Sequence, residues 1–476
     1  LYPAWEAYLS TGSAMTNGVV SGNNHTSICN AGTAVGAMAV MDRYPKECAY
    51  LVSNAIRGIE GEIYKFAHEG AWYEGASYWE YAMSYSVKML SALQTTFGTD
   101  FGLAMTEGLR EAADFLIYMM PPRLGLYNYS DATPGSIWAP ELLWLANEYD
   151  KPKIAAAFEK LASAPGATHT VSDPVDGYFY GGFALEDKVL RLLWSKADTE
   201  ASVDMPLDRL YKDEGAVALR DGWSVYPTYV GIHGGTPNVT HGHLDAGSFI
   251  FDSGYRRWSR DPGMGNYSSE GYFDDGVNGM RWKHFHTRAE AHSTLVINPG
   301  SGPDHAVDSY AEVKLAAQSD KAAIVTVDMS DALRENVIAA TRGFFFTDNR
   351  KSLVVRDEID LSKYNSEIYW FMMSSSDVRI ESQTDSGCVL NYSGYRMKLD
   401  YVTDADSAEL TLGAAEPLPT SPVMSDDPST DSMKRLALKL TGSGKVNITV
   451  KLTPYNLSGA SAVADYDKPI SEWSID

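Results

Sequence analysis

Two imidazoles separated by a single glycine, His241-Gly242-His243, stand just ahead of a short apolar run, Phe249-Ile250-Phe251. Histidine titrates nearest neutral pH and is the commonest protein metal ligand, so a paired H-x-H invites metal binding or proton transfer. If the run is a strand, residues two apart share a face, which puts both rings, with Asp245 beyond them, on one side. The plainer alternative is a pair of hydrogen-bonded histidines at a strand end. His284-Phe285-His286 repeats the spacing with no supporting residues around it. What distinguishes the first pair is its company. Asp261 lies in Arg257-Trp258-Ser259-Arg260-Asp261-Pro262-Gly263, and His292 lies in Ala291-His292-Ser293-Thr294-Leu295. His243, Asp261 and His292 would offer two nitrogens and one carboxylate from three strand ends, a donor set suited to zinc with water as the fourth ligand. An Asp-Pro-Gly sequence is also an ordinary turn former.

A second group sits far upstream, in Trp72-Tyr73-Glu74-Gly75-Ala76-Ser77-Tyr78-Trp79-Glu80-Tyr81. Gly75 can end a loop and Ser77 can cap the helix that follows. Tyr78, Tyr81 and Tyr85 then fall on one helical face. Such a stripe is commonly core, but one tipped with hydroxyls behind a Trp-x-Glu-Gly turn suits a sugar-lined cleft. A third group, Asn23-Asn24-His25, precedes a helical stretch running to Met41. Its amides can cap that helix or donate hydrogen bonds to a substrate carboxylate.

The elements that must hold these residues change character along the chain. Apolar residues recur at helical spacing over 49–63, 78–93, 102–120, 138–149 and 154–161, broken by Gly70, Gly98, Pro121-Pro122, Pro134-Gly135 and Pro165-Gly166. Short turns between them suggest antiparallel helical hairpins. The polar stretch 195–205 reads as a linker. After it come β-branched and aromatic runs at 215–219, 228–234, 248–252, 293–297, 323–328, 343–347, 352–357, 367–372 and 445–452. They imply large packed antiparallel sheets. The expected division is a helical domain over 1–200, a β-sandwich over 201–400 and a β-sheet extension of it over 401–476, with 416–431 as a surface loop.

In the 476-residue chain, 39 Lys and Arg against 62 Asp and Glu give a net charge of −23. That argues against nucleic acid, whose phosphates need clustered cations. It leaves an acidic sugar polymer open, because a cleft can be locally basic on an acidic protein. No apolar run reaches bilayer length. Cys29, Cys48 and Cys388 are too few for a disulfide framework and carry no C-x-x-C pair. Buried free thiols are expected, with a Cys29–Cys48 bridge as the alternative in an oxidising compartment. The sequence opens on Leu1, and the expectation is a bacterial protein of the periplasm or outside the cell, its leader removed, with the cytoplasm as the alternative.

Taken together, the motifs N-N-H-T-S-I-C-N-A-G (23–32), W-Y-E-G-A-S-Y-W-E-Y (72–81), G-A-V-A-L-R-D-G-W (215–223), H-G-H-L-D-A-G-S-F (241–249), R-W-S-R-D-P-G (257–263) and A-H-S-T-L (291–295) resemble the heparinase II/III-like polysaccharide lyases. The resemblance implies an N-terminal (α/α) toroid followed by a large antiparallel β-sandwich. The helical stretch is shorter than that family's toroid. The resemblance also implies β-elimination on uronic-acid-containing polysaccharides of the glycosaminoglycan or alginate type. The C5 proton is a very weak acid, so the carboxylate must be neutralised or hydrogen-bonded while a base and an acid act.

By the same resemblance Tyr78 is general acid, and base as well in a syn elimination. His241 faces the substrate, and Asn24 lies near the uronate. His243, Asp261 and His292 are the metal triad, holding a structural zinc. Asn23, Trp72, Glu74 and Tyr81 are expected to contact substrate, and Asp245 to support an imidazole. Two departures stand out: Asn24 where some relatives carry a second histidine, and Ser293 where asparagine usually follows the third ligand. An acidic polysaccharide or oligosaccharide is the expected partner, and a dimer is compatible with it. The competing readings are a glycoside hydrolase using Glu74 and a second carboxylate, and a non-catalytic glycan-binding protein.

Overall fold

The helical pattern of the first two hundred residues becomes seven α-helices in a computed structural model that describes residues 24–66, 68–121, 125–133, 139–162, 183–196, 202–224 and 227–475. They are α1 (Asn24–Met38), α2 (Pro45–Ile63), α3 (Ala76–Phe97), α4 (Leu109–Tyr118), α5 (Glu141–Glu148), α6 (Pro152–Ala162) and α7 (Phe183–Trp194). In α2 a proline opens the first turn, and Leu51, Val52, Ala55, Ile59 and Ile63 form the buried stripe. Helix α3 ends where Gly98 takes a left-handed conformation and its N–H bonds back to Gln94. Its first residue follows Gly75 directly, so Ser77 lies inside the helix and does not cap it. Helix α1, which begins at Asn24, packs along both α2 and α3. These helices establish a helical unit; a closed toroid does not follow from their number.

The strand-like runs become β1 (Asp208–Tyr211), β2 (Ala216–Arg220), β3 (Tyr229–His233), β4 (Ser248–Ser253), β5 (Arg256–Ser259), β6 (Leu295–Ile297), β7 (Val313–Ser319), β8 (Ala322–Asp328) and β9 (Val337–Thr347). They continue through β10 (Ser352–Leu361), β11 (Ser366–Ser375), β12 (Val378–Thr384), β13 (Gly387–Tyr392), β14 (Tyr395–Thr403), β15 (Ser407–Ala414), β16 (Met433–Gly442) and β17 (Lys445–Pro454). Three antiparallel sheets result, ordered β1-β2-β3-β4-β5, β12-β13-β14-β17-β10-β9-β8-β7 and β15-β16-β11-β6. One apolar core joins them through Ile232 and Phe249 of the first, Phe344 and Val355 of the second, and Trp370 and Leu438 of the third. Strands β14, β16 and β17 pair directly with β13, β11 and β10, and β15 joins the edge of its sheet through β16.

The chain forms two compact units, Leu1–Arg123 with Gly135–Asp204, and Leu124–Pro134 with Met205–Asp476. The short stretch 125–133 therefore belongs with the β-sheets although helices flank it in sequence. Tyr127 lies so close over Gly231 of β3 that a Cβ there would sit 2.6 Å from its ring. Tyr129 stacks on His233 with ring centroids 4.3 Å apart, and Arg257 of β5 donates to the Leu126 carbonyl at 2.9 Å. Cys29, Cys48 and Cys388 are all free thiols. Among the described residues no helix is long and apolar enough to cross a membrane.

Candidate functional site

His241-Gly242-His243 lies in the turn that leads into β4, and the strand itself starts only at Ser248. The strand geometry expected for H-x-H is therefore corrected. His241 adopts φ +67°, a left-handed conformation that side chains with a Cβ rarely occupy. Gly242 passes so close to Pro237 that a Cβ would lie 2.3 Å from its carbonyl oxygen. The turn is pinned from outside: Arg281 Nε donates to the Gly242 carbonyl at 3.0 Å, and the Leu244 N–H donates to the Thr287 carbonyl at 2.9 Å.

Both imidazoles meet one carboxylate, Asp131, on the stretch that joins the β unit from between helices. His241 Nδ1 is 2.8 Å from Asp131 Oδ2, and His243 Nε2 is 2.8 Å from Asp131 Oδ1. Tyr272 donates its hydroxyl to Oδ1 at 2.6 Å, and Arg281 Nη2 donates to Oδ2 at 3.1 Å. Burial alone would raise the Asp131 pKa, but the Arg281 guanidinium and the two imidazole bonds hold it well below the usual carboxylate range. Burial, and then the same carboxylate, push the Tyr272 hydroxyl up, so Tyr272 stays protonated as a donor. Asp245 has a different partner from the two histidines of the turn: its Oδ2 meets His233 Nδ1 at 2.8 Å. Leaving the strand geometry turned it away, and Asp131 takes the supporting place. The His241 side chain is 10% exposed. Tyr267 stacks on its ring at 5.6 Å with the hydroxyl 3.1 Å from Nδ1, and the exposed Phe273 stands edge-on at 5.9 Å.

His243, Asp261 and His292 come together, each buried, with one ligand atom apiece inside a 4.8 Å cluster. His292 Nδ1 is 2.9 Å from Asp261 Oδ2. His292 Nε2 faces the carbonyl of His286 at 3.1 Å, which can only accept, so the proton belongs on Nε2. His243 Nε2 faces the ionised Asp131 and carries its proton for the same reason. Its Nδ1 is buried and has no hydrogen-bond partner. Burial lowers the His243 pKa and so favours the neutral ring. Burial works against protonation of His292 too, but Asp261 and the His286 carbonyl raise its pKa. His243 Nδ1, His292 Nδ1 and an Asp261 oxygen, with both Nε2 atoms already facing oxygen acceptors, are the donors a divalent zinc takes once it displaces the proton from His292 Nδ1. The residues fit the ion, and three protein ligands leave a fourth position for water.

In the helical unit Asn24 is the first described residue of α1 and is buried, while His25 beside it is exposed. Asn23 lies outside the described residues. Tyr78, Tyr81 and Tyr85 line one face of α3, all half-buried, with Tyr81 edge-on to Tyr85 at 5.7 Å. Trp72 and Glu74 are different. Both are wholly buried, and the indole Nε1 donates to Glu74 Oε2 at 2.9 Å. Trp72 also packs on Phe66 at 4.6 Å. Their position is internal, bracing the turn ahead of α3, and that corrects the expectation of direct substrate contact.

Residues 208–421 match the family model described as Heparinase II/III-like, C-terminal. The β-rich part of this chain is therefore similar to the C-terminal domain of the heparinase II/III-like proteins. That domain holds His241, His243, Asp261 and His292. No curated protein sequence matches the chain. Among solved structures it is similar to a heparinase III, the BT4657 gene product with methylated lysines, at 14% identity and a TM-score of 0.67, covering 95% of this chain and 61% of that one. It is also similar to the heparan sulfate lyase HepC from Pedobacter heparinus, at 15% identity and a TM-score of 0.63, covering 96% and 63%. Identities this low establish the fold alone, and the chain spans about three-fifths of the length of those structures.

Proposed function

We propose that this protein is a polysaccharide lyase acting on uronic-acid-containing polymers by β-elimination. The observation that carries the reading is the His241–Asp131 pair beside the His243, Asp261 and His292 cluster, in a heparinase II/III-like domain. In the proposed reaction a base takes the C5 proton of the uronate and the electron pair forms the C4–C5 double bond. The C4–O bond breaks, and the leaving oxygen receives a proton. Tyr78 is the general acid, and also the base in a syn elimination. Its ordinary pKa of about 10 calls for positive charge nearby in the second role. Asn24 and His241 neutralise the uronate carboxylate, which stabilises the enolate-like charge that builds up as the proton leaves. Tyr81 extends the sugar-binding face, Asn23 is next to Asn24 in sequence and shares its role, and the helical unit is read as all or part of an (α/α) toroid.

The zinc, held by His243, Asp261 and His292, is structural. When bound it fixes three loops to one point, and this chain's own Asp131 passes that order to His241. Uronate polymers are met outside the cell or in the periplasm, which is the proposed location. A hydrolase would need two carboxylates flanking a glycosidic bond, and Glu74, its first candidate, is sealed against Trp72. The test is incubation with heparan sulfate, hyaluronan, chondroitin, alginate and ulvan fragments. A lyase produces the ultraviolet absorbance of an unsaturated uronate on at least one of them. New reducing ends without that absorbance would replace this reading with a hydrolase, and no product at all would leave a binding protein.

A further inference from the structure

Asp131 presents two oxygens, each with two lone-pair directions, and four donors converge on them. Oδ1 takes His243 Nε2 at 2.8 Å and the Tyr272 hydroxyl at 2.6 Å, while Oδ2 takes His241 Nδ1 at 2.8 Å and Arg281 Nη2 at 3.1 Å. The carboxylate is fully buried and fully used. We propose that Asp131 is a positioning residue shared by two sites: one oxygen fixes the His241 tautomer for substrate, and the other fixes the His243 tautomer for the metal. The substrate half of this rests on the lyase reading; the metal half does not.

An ionised carboxylate only accepts, so both imidazoles must turn an N–H toward it. That leaves His241 Nε2 to face substrate, as a lone pair in the neutral ring and as a second donor N–H in the imidazolium that neutralises the uronate, and it leaves the lone pair of His243 on Nδ1. The latter atom is buried without a hydrogen-bond partner, as a metal-directed nitrogen would be. Arg281 fixes which oxygen serves which ring. It cannot accept, it bonds Asp131 through one nitrogen, and it grips the Gly242 and Tyr272 carbonyls through Nε and Nη1 at 3.0 and 3.1 Å. The Asp131 N–H also donates to the His241 carbonyl at 3.2 Å, so backbone and side chain hold the same turn.

An amide in place of the carboxylate separates the two tasks. Asparagine must keep its oxygen toward Arg281, which leaves His241 its acceptor and turns the NH2 toward His243. His243 is then driven to the other tautomer, with a hydrogen on Nδ1. Asp131→Asn is therefore expected to weaken zinc binding on the order of 10–100-fold while losing much less turnover. Asp131→Ala is expected to lose both, with kcat falling more than KM changes. A residue that merely supported the fold would lower both in step in either variant.

The experiment has two arms. The first is a zinc titration of the metal-free protein and both variants, with turnover measured in parallel. The second is nitrogen NMR of the metal-free wild-type protein labelled in histidine, assigned with His241→Gln and His243→Gln. It should show His241 protonated on Nδ1 and His243 on Nε2. A folded Asp131→Asn with wild-type zinc affinity would overturn the proposal, and so would either tautomer reversed in the wild-type spectrum. If the variants do not fold, the wild-type spectrum decides. Absence of unsaturated product from the wild type would remove the lyase reading, while the spectrum and the zinc titration would still test Asp131.

Discussion

Replacing Arg342 with methionine would remove a buried cation that ties the histidine turn to the β-sandwich. Arg342 on β9 faces Asp357 on β10 and makes a two-point contact, Nε to Oδ1 at 2.7 Å and Nη2 to Oδ2 at 3.0 Å. Its Nη1 reaches the Gly247 carbonyl at 2.9 Å and the Ser293 carbonyl at 3.3 Å. Gly247 ends the turn of the two histidines, and Ser293 follows the ligand His292, so one guanidinium ties both to the core. Arg342 and Asp357 are 0% exposed. Removing one member of a buried pair costs about 3–5 kcal/mol, because the partner is left charged or must take a proton in an apolar setting. Burial already raises the Asp357 pKa against the pull of Arg342, so loss of Arg342 leaves the protonated acid as the cheaper state. The two carbonyls that lose a donor add about 1 kcal/mol each. The expected total for Arg342→Met is about 5–7 kcal/mol. Arg342→Met/Asp357→Leu leaves only the carbonyls unpaired and should cost about 2 kcal/mol, about 3–5 kcal/mol less than the single variant. Urea unfolding with constant m-values measures both. A single variant costing under about 1 kcal/mol, or a double variant as costly as the single, would refute the reasoning.

His305 is buried with its Nε2 donating to the Leu295 carbonyl at 2.9 Å, and burial lowers its pKa to about 4. The unfolded chain then takes up the proton first, so this contribution to stability is complete above the ordinary value of about 6.5 and is lost as pH falls toward 4. By pH 5 the loss is about 2 kcal/mol, and His305→Gln should flatten the acid limb of the stability curve by that amount; an unchanged acid limb would count against it. For the metal centre, chelation should lower the melting temperature and zinc should restore it, with no such response in His243→Ala. A metal-free protein that melts at the same temperature as the zinc-loaded one would rule out a structural ion.

Much of the fold was legible because its pieces are strongly patterned. The stripes of α2 and α3 repeat at helical spacing, and β3, β4 and β11 are short apolar runs ended by glycine or polar residues. Strands β7, β12 and β15 escaped notice because one or both faces are wet: β12 buries Val378 fully and β15 buries only Leu410. Edge strands of this kind lack the alternation that a half-buried strand shows. In the site, His243, Asp261 and His292 could be named because ligands are chemically conspicuous. Their supports could not. Asp131 lies 110 positions from His241 and Arg281 lies 150 positions from Asp131, joined only by folding. The one trace is the alternation Tyr127, Tyr129, Asp131, which marks an extended segment among helices. Trp72 and Glu74 mislead for the opposite reason, since an aromatic beside a carboxylate looks like a sugar site but here the indole N–H is buried against Glu74 Oε2.

The measurement that bears most directly on the lyase account is the ultraviolet absorbance formed from uronate polymers by the wild type and by Tyr78→Phe, run side by side with matched zinc content. The account predicts an unsaturated uronate product from the wild type, and loss of that signal in Tyr78→Phe with melting temperature and zinc content unchanged. Full activity in Tyr78→Phe, or reducing ends released by the wild type without unsaturation, would contradict it.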